Sequence, residues 1–291
     1  MTDDMLTHEE KIIEYYEQTT DAYYVGMWDD EHINFGLFTP EESHLPIREL
    51  RKARARALRR GIEAILRPVR ISREHTVVDA GCGVGGTALH VAKHFGCRVI
   101  GLNISEHQIK IARSRAEDAG LSDRVQFTFA DCSVALPLPG ESVDVIVTIE
   151  SSCHYADRRN FLSECARILK PGGILTTKDW MAADGIPETD YAASIQPVCD
   201  AWFFKSLETR SSYTGKLRDA GFEILDFVDF SESALPNTRI MEVFRRQLMF
   251  KAMFVSLPKI ENLWIQQCGS LCSAWIGGYF RLQHFLARKA H

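Results

Sequence analysis

Several features of targeted or unusual proteins are missing from this sequence of 291 residues. No apolar run approaches the roughly 18–20 residues that a membrane span needs. The acidic amino terminus, Met-Thr-Asp-Asp, lacks the basic and apolar regions of a signal peptide. With 45% apolar and 25% charged residues, the composition excludes a disordered, collagen-like or repeat protein. We therefore expect a cytoplasmic protein without a transmembrane segment.

A large excess of charge of one sign is also missing. The formal net charge is −5, so bulk attraction to nucleic acid or to an anionic membrane is not expected, and no nucleic-acid partner is predicted. Basic residues are nevertheless concentrated in one stretch, because ten of them lie within residues 48–73. A solvated helix face is the usual explanation, and contact with a phosphate-bearing substrate or a membrane surface is the alternative.

The eight cysteines do not form the pattern of a disulfide framework or of a metal site. In a chain of this length without a signal sequence, reduced thiols are expected. Cys268 and Cys272 offer two metal ligands, but no second pair and no histidine at ligand spacing completes a site. We interpret both as packed thiols and predict no metal site.

Short apolar segments alternate with helical ones from about residue 75 onward. This order is typical of an α/β fold with an open, mostly parallel sheet and right-handed crossovers. The predicted strands are 76–79, 98–102, 124–130, 143–149, 174–177, 222–230 and 279–288. Helical spacing and capping signals predict the main helices over 7–24, 46–67, 105–120, 157–169, 213–220 and 238–256.

A glycine-rich loop, VVDAGCGVGG at residues 77–86, marks the point where the first strand becomes a helix. Glycines there allow a tight turn and a close approach of the backbone to a ligand. The spacing also fits the dinucleotide pattern G-x-G-x-x-G. However, Asp79 would repel a pyrophosphate, and Asn103 stands where an acid for the ribose is expected. The sequence also lacks the Tyr-x-x-x-Lys group that a nicotinamide-dependent oxidoreductase would need for catalysis. Such an oxidoreductase is therefore the less favoured alternative.

Polar side chains follow four predicted strands in turn: Asp79, Asn103, Asp131 and Glu150. Because ligands bind at the carboxyl ends of the strands in such sheets, we expect these side chains on one rim. A small ligand with an amino group, a ribose and an adenine could meet all four. Intact Gly81 and Gly83 argue against a protein that has lost catalysis and only binds.

The loop DAGCGVGG (79–86) resembles motif I of the class I S-adenosylmethionine-dependent methyltransferases, although Ala80 stands where Gly is more usual. The likeness extends over most of residues 10–230, whereas the last sixty residues match no known pattern. Further segments resemble the branch of sterol C-methyltransferases, tocopherol methyltransferases and cyclopropane-fatty-acid synthases. They are YY at 15–16, TT at 19–20, HINFG at 32–36, GLNISEHQ at 101–108, IESSCH at 149–154 and LKPGG at 169–173.

This resemblance implies that the cofactor is S-adenosyl-L-methionine and assigns the binding residues by motif. The glycine loop would contact the methionine part and the end of the second strand would hold the ribose. The residues after the third strand would border adenine, and Tyr16 would close over the methionine end. The predicted cofactor-binding set is Tyr16, Asp79, Gly81, Cys82, Gly83, Asn103, Ile104, Gln108, Asp131, Cys132 and Glu150.

Some of these residues also have plain structural interpretations. Gln108 lies three residues after Ser105 and could complete a capping box, and Asp131 could cap a turn. Tyr16, Tyr23 and Tyr24 could be a packed helix face rather than a lid over the cofactor.

Glu150 and His154 are the predicted catalytic residues, and their task depends on the acceptor. An alkene acceptor would form a carbocation that aromatic faces stabilise and that loses a proton to a carboxylate or histidine. A hydroxyl or amine acceptor would need a base, for which His154 is the best candidate. The aromatic residues Trp180, Trp202, Phe203 and Phe204 would either line the acceptor pocket or belong to the core.

We thus predict an α/β protein with a Rossmann-like, seven-stranded, mostly parallel sheet, an N-terminal helical lid and inserted cap helices. The lid comprises residues 1–72 and the methyltransferase domain residues 73–291, with cap insertions at about 181–211 and 237–275. We expect C-methylation of a small hydrophobic isoprenoid or sterol-like alkene, in isoprenoid or secondary metabolism, with O- or N-methylation of a natural product as the alternative. Mg²⁺ is expected only if the substrate carries a diphosphate. The C-terminal region with Trp264, Trp275 and Phe280 could equally build the interface of a homo-oligomer.

Overall fold

The computed structural model of the chain describes residues 6–26 and 34–290, and it covers only the backbone of residues 22–26. Two parts of the predicted N-terminal motif therefore lie outside the described residues. They are the side chains of Tyr23 and Tyr24, and the first two residues of the HINFG segment, His32 and Ile33.

A seven-stranded sheet forms the centre of the molecule. Its strands are β1 (Thr76–Ala80), β2 (Arg98–Asn103), β3 (Val125–Phe129), β4 (Val143–Ile149), β5 (Leu169–Ala182), β6 (Phe222–Asp229) and β7 (Phe280–Lys289). They lie in the order β3-β2-β1-β4-β5-β7-β6, and β7 alone of these strands runs antiparallel to its neighbours. The predicted Rossmann-like, mostly parallel sheet is confirmed. Chain order reverses between β1 and β4, and sheets of this kind bind ligands at such a switch point.

Twelve α-helices are described outside the sheet. They are α1 (His8–Gly26), α2 (Pro40–Ser43), α3 (Ile47–Leu66), α4 (Gly86–Phe95), α5 (Glu106–Asp118), α6 (Arg158–Ile168), α7 (Glu188–Asp190), α8 (Gln196–Trp202), α9 (Arg210–Asp219), α10 (Ser231–Ala234), α11 (Pro236–Ala252) and α12 (Lys259–Ile276). A 3₁₀ turn covers Ser152–His154, and a π-helical turn, Tyr191–Ile195, joins α7 to α8. Within this described part of the chain, no helix is long and apolar enough to cross a membrane.

The fifth strand is much longer than the predicted segment 174–177. It begins at Leu169, directly after α6. Residues 170–173 form a bulge within the strand instead of a turn before it, and Gly172 in this bulge has φ = 75°. It also continues beyond Thr177 through Lys178 and Asp179, two charged residues that are almost fully buried. Buried charges broke the apolar pattern on which the prediction depended.

The helix predicted over 238–256 ends at Ala252, and α12 follows it. α12 buries Trp264, Cys268, Leu271 and Trp275 against several neighbouring elements. The spacing of these four residues is that of one face of a helix, so the sequence carried a signal for α12 that the prediction did not use.

Two layers of helices cover the sheet. Adjacent residues of a strand point to opposite faces, and Val77 and Val78 accordingly belong to different apolar clusters. Helices α3, α4 and α5 contribute to the Val77 cluster, and α6 and α9 contribute to the Val78 cluster. The basic helix α3 therefore covers the sheet with its apolar face, and the carbonyl of Ile65 accepts a hydrogen bond from Thr176 Oγ1 in β5 (2.9 Å).

A third apolar cluster lies beyond the carboxyl end of β5, between α1, α8, α11 and α12. Its centre is Trp180, whose ring lies 5.2 Å from Phe35, 4.9 Å from Trp202 and 5.5 Å from Phe204. All four side chains are buried. The open alternative for these aromatic residues is thus decided in favour of the core, with Phe203 half-buried beside Tyr15.

All eight cysteines are buried and none forms a disulfide bond, as predicted. Cys268 and Cys272 lie one turn apart on α12. Among the described residues, no group of three or more His, Cys, Asp or Glu side chains is arranged to hold a metal ion.

Acid should weaken the fold through His284 in β7. Burial lowers the pKa of this imidazole to about 4, whereas the unfolded chain titrates near 6.5. The unfolded state therefore binds an extra proton between these values, and the free energy of unfolding falls as pH drops through that range. Between pH 7 and pH 5, the free energy of unfolding measured in urea should fall by about 2 kcal/mol less in His284→Gln than in the natural protein.

Comparison of variants is needed because other groups titrate in the same range. The lowered pKa of half-buried His154 acts in the same direction, and the raised pKa of buried Asp79 acts in the opposite direction. The exposed His94 on α4 provides the control, since His94→Gln should keep the pH dependence of the natural protein. If the free energy of unfolding falls equally in His284→Gln and in the natural protein between pH 7 and pH 5, the prediction is wrong.

Candidate active site

A cavity opens at the carboxyl ends of β1, β2 and β4, where chain order in the sheet reverses. Helix α1 forms one wall with Glu9, Ile12 and Tyr16. Ten of the twelve residues predicted for the site line this cavity: Tyr16, Gly81, Gly83, Asn103, Ile104, Gln108, Asp131, Cys132, Glu150 and His154. Strands that are far apart in sequence therefore bring the predicted residues together.

The glycine loop brings its backbone against the loop that follows β4. Gly81 has φ = 78°, and a Cβ at this position would lie 1.7 Å from Ser151 Oγ. The amides of Gly81 and Cys82 donate to the carbonyl of Leu102 in β2 (2.8 and 2.9 Å), which ties the loop to the sheet. A Cβ at Gly83 would not be crowded, because Oε1 of Gln108, another residue that lines the cavity, would lie 4.0 Å from it. The absence of a side chain at Gly83 thus leaves room beside the polar end of β2.

Asp79 and Cys82, the other two predicted residues, are not among the side chains that line the cavity. The Asp79 carboxylate is buried and accepts a hydrogen bond from the Ala88 amide in the first turn of α4, and burial raises its pKa to about 7. The Cys82 thiol packs beside Gly101, where an added Cβ would lie 3.0 Å from the sulfur. These two side chains support the loop, and a contact of either residue with the cofactor stays a prediction.

Asn103 lies at the end of β2 within a set of amide hydrogen bonds. Its Nδ2 donates to Gln108 Oε1 (2.7 Å), and its Oδ1 accepts from the Ile104 amide (3.0 Å). Ser105 caps α5 by accepting from the Gln108 amide (3.2 Å). The Gln108 side chain, however, bonds to Asn103 and to Thr20 instead of completing the capping box.

Asp131 caps a turn and also lies on the cavity wall. Its Oδ1 accepts from the amide of Ser133 (2.8 Å) and from the hydroxyl of the same residue (2.7 Å), which caps the turn after β3. It also lines the cavity, next to Cys132. Burial raises the pKa of the Cys132 thiol to about 12, so this sulfur is neutral at physiological pH.

The Glu150 carboxylate is occupied by partners that the sequence analysis missed. It forms a fully buried ion pair with Lys178 Nζ (2.9 Å) and accepts from Trp180 Nε1 (2.8 Å) and from the Phe35 amide (2.9 Å). Glu150 also has φ = 49°, a left-handed conformation that is unusual for a residue with a side chain. The sequence signal for this arrangement was the pair of adjacent charged residues, Lys178 and Asp179, inside the fifth strand.

His154 is a half-buried, neutral imidazole on the cavity wall. Its Nε2 lies 3.0 Å from the Tyr16 hydroxyl, and its ring lies 4.7 Å from Phe204 and 5.6 Å from Tyr16. Burial lowers its pKa to about 3. The 3₁₀ turn that carries it is held by Arg158, which donates to the carbonyl of Ser152 (2.9 Å), and by Asp179, which accepts from the Ser152 hydroxyl.

Several lining residues were absent from the predicted set, among them Glu9, Ser151 and Tyr155. The hydroxyls of Ser151 and Tyr155 lie 2.9 Å apart and close the cavity beside Gly81. Tyr155 directly follows the Glu-Ser-Ser-Cys-His string, and this adjacency was the sequence signal that could have placed it at the site. Glu9 belongs to α1, and no local sequence pattern indicates that this part of α1 contacts the cavity.

Comparison with known proteins agrees with this geometry. Residues 78–177 match the model of a methyltransferase domain. Methyltransferase GfsG of Streptomyces halstedii is 33% identical over 223 residues, which cover 77% of this chain and 76% of that protein. The sarcosine/dimethylglycine N-methyltransferase of Halorhodospira halochloris is 32% identical over 74% of this chain and 72% of its own length. A sterol 24-C-methyltransferase of Gibberella zeae is 35% identical over 59% of this chain and 42% of its own length.

A solved structure has the same fold across nearly the whole chain. The geranyl diphosphate C-methyltransferase of Streptomyces coelicolor, in complex with Mg²⁺, geranyl diphosphate and S-adenosyl-L-homocysteine, superposes with a TM-score of 0.75. The match covers 98% of this chain and 99% of that one at 20% sequence identity.

Proposed function

The chain belongs to the S-adenosyl-L-methionine-dependent methyltransferases, in the branch that resembles sterol C-methyltransferases, and we propose that it methylates an alkene carbon of a small hydrophobic acceptor. The observation that carries the proposal is the neutral His154 imidazole, which lies between the aromatic rings of Tyr16 and Phe204 on the wall of the cofactor cavity.

The cavity residues fit the cofactor. The space beside Gly83 adjoins the amide groups of Asn103 and Gln108, which can hydrogen-bond ribose hydroxyls. We assign the ribose to Asn103, Ile104 and Gln108, and adenine to the surface around Asp131 and Cys132.

We assign the methionine part to the backbone of Gly81 and Gly83, with Tyr16 above it. Cys82 would take part only through its backbone. When bound, S-adenosyl-L-methionine supplies an electrophilic methyl group that a nucleophilic carbon attacks, which leaves S-adenosyl-L-homocysteine.

His154 is suited to the proton that an alkene must lose after methylation. The π electrons of the alkene form the new carbon–carbon bond, and the adjacent carbon becomes cationic. A carbocation is a far stronger acid than imidazolium, so even an imidazole with a pKa of about 3 can accept its proton as the double bond re-forms. The face of Tyr16, which lines the cavity, can stabilise the cation by about 0.5–2 kcal/mol before the proton leaves.

Glu150 has a supporting role in this proposal. Its charge is already balanced by Lys178, and its oxygens accept from Phe35 and Trp180. We therefore assign the proton to His154 and give Glu150 the task of fixing Phe35 and Trp180 beside the cavity.

The test is methyl transfer from labelled S-adenosyl-L-methionine to two acceptor pools assayed in parallel. One pool contains sterols, long isoprenoids and prenyl diphosphates, the last with Mg²⁺. The other contains phenols, sugars and amines. We expect label in the alkene pool, recovered on carbon, and label confined to the second pool would overturn the proposal.

The second candidate is O- or N-methylation, which the N-methyltransferase relative from Halorhodospira halochloris favours. His154 would then act as general base for a hydroxyl group. A low imidazole pKa makes it a poor match for so weak an acid, so an amine with a free lone pair is the better acceptor in this alternative. Label in the amine fraction of the second pool would select it.

A further inference from the structure

Helix α1 is attached to the first turn of α5 by a set of polar contacts. Glu17 Oε1 accepts from Ser105 Oγ (2.7 Å) and from the His107 amide (3.1 Å). Gln108 Nε2 donates to Thr20 Oγ1 (2.9 Å). Of the side chains in these contacts, Gln108 lines the cofactor cavity, and Thr20 lies behind it, fully buried.

The Thr20 hydroxyl determines how the amide groups behind the cavity are oriented. A hydroxyl has one proton, and Thr20 donates it to the carbonyl of Tyr16 one turn earlier (2.5 Å). Thr20 can therefore only accept from Gln108, which turns the NH₂ of Gln108 toward α1 and its Oε1 toward Asn103. Oε1 then accepts from Asn103 Nδ2 (2.7 Å). Asn103 itself is also held from its own side of the cavity, because its Oδ1 accepts from the Ile104 amide (3.0 Å) and its Nδ2 donates to the carbonyl of Gly83 (3.4 Å).

We propose that Thr20 is a positioning residue for the cofactor, which acts through Gln108 and couples the docking of α1 to cofactor binding. The inference rests on the cofactor role proposed for Asn103 and Gln108. With α1 docked, the Gln108 side chain is held between Thr20 and Asn103, and Tyr16 lies on the cavity wall. With α1 undocked, Gln108 loses Thr20 as its acceptor and is held only by Asn103. A cofactor that uses these amides thus favours the docked helix, and the docked helix favours the cofactor.

Replacement of Thr20 by valine tests this coupling, because valine keeps the shape and removes the hydroxyl. We expect Thr20→Val to bind S-adenosyl-L-homocysteine about tenfold more weakly in calorimetric titration of the full chain, a loss of the size of one hydrogen bond. Thr20→Ser retains the hydroxyl and should stay within about twofold of the natural protein. Thr20→Ala provides a second variant without the hydroxyl if the valine variant fails to fold.

Thr19→Val is the matched control. Thr19 is also fully buried and donates to the carbonyl one turn earlier, that of Tyr15 (2.7 Å), but it is not bonded to Gln108. Hydrogen exchange of the α1 amides should show less protection by S-adenosyl-L-homocysteine in Thr20→Val than in Thr19→Val. The proposal is overturned if the two valine variants bind equally, if serine does not rescue, or if Asn103→Ala leaves affinity unchanged. These binding readouts need no acceptor, so failure of the alkene assay is a separate result.

Discussion

Gly81→Ala is expected to remove cofactor binding, with S-adenosyl-L-homocysteine held at least about 100-fold more weakly. The new Cβ would lie 1.7 Å from Ser151 Oγ, and φ = 78° would add the strain of a left-handed alanine. To relieve the overlap, the glycine loop and the loop after β4 must separate. That movement displaces two walls of the cavity at once, and displacements of about 1 Å are enough for losses of this size. Calorimetric titration with S-adenosyl-L-homocysteine measures the effect.

Gly120→Ala separates backbone strain from crowding. Gly120 has φ = 66° after α5, and a Cβ there would meet no other atom within 4 Å. This variant should lose about 1–2 kcal/mol of stability and keep the affinity of the natural protein. Affinity of Gly81→Ala within a few-fold of normal, in protein shown by circular dichroism to be folded, would disprove the proposed loop geometry.

Lys178→Met is expected to lower the free energy of unfolding by about 3–5 kcal/mol, because it leaves the buried Glu150 carboxylate without its cation. The Lys178 side chain has no exposed area, and its Nζ also donates to the carbonyl of Phe35 (2.7 Å). The two hydrogen bonds that Glu150 retains, from Phe35 and Trp180, stabilise its charge only in part. Urea unfolding at neutral pH gives the loss directly.

Lys170→Met shows what an exposed pair contributes. Lys170 Nζ lies 2.7 Å from Asp144 Oδ1 with 45% of its side chain exposed, and such pairs contribute about 0–1 kcal/mol. The double variant Glu150→Gln/Lys178→Met should regain part of the loss, since neither charge is then left alone. If Lys178→Met costs no more stability than Lys170→Met, the buried ion pair contributes no more to the fold than an exposed one, which contradicts the prediction.

The strands and the cavity rim were predictable because their signals are local. A run such as Val143–Ile149, apolar at nearly every position, indicates a strand buried on both faces. Polar residues directly after such strands are brought together by the sheet, which is why Asn103, Asp131 and Glu150 share one cavity. The glycine loop carried the resemblance that named the cofactor.

What escaped prediction depends on contacts between distant segments. The partners of Glu150 lie 28 residues ahead at Lys178 and 115 residues behind at Phe35. No spacing in the sequence links Glu150 to these partners, and the adjacent charges of Lys178 and Asp179 hid the true length of β5. For Asp79 the sequence left two roles open, ligand contact and ordering of the glycine loop, and only the three-dimensional structure shows its hydrogen bond with the Ala88 amide in α4.

The burial of every cysteine makes this chain a convenient background for spectroscopic labelling. Burial raises the pKa of all eight thiols, so the reactive thiolate is scarce at neutral pH. A cysteine introduced on the exposed side of α1, for example Glu14→Cys, should be the main site of reaction with a maleimide dye. A second dye placed on α5 would then report the distance between the two helices, and with it the proposed docking of α1, one molecule at a time.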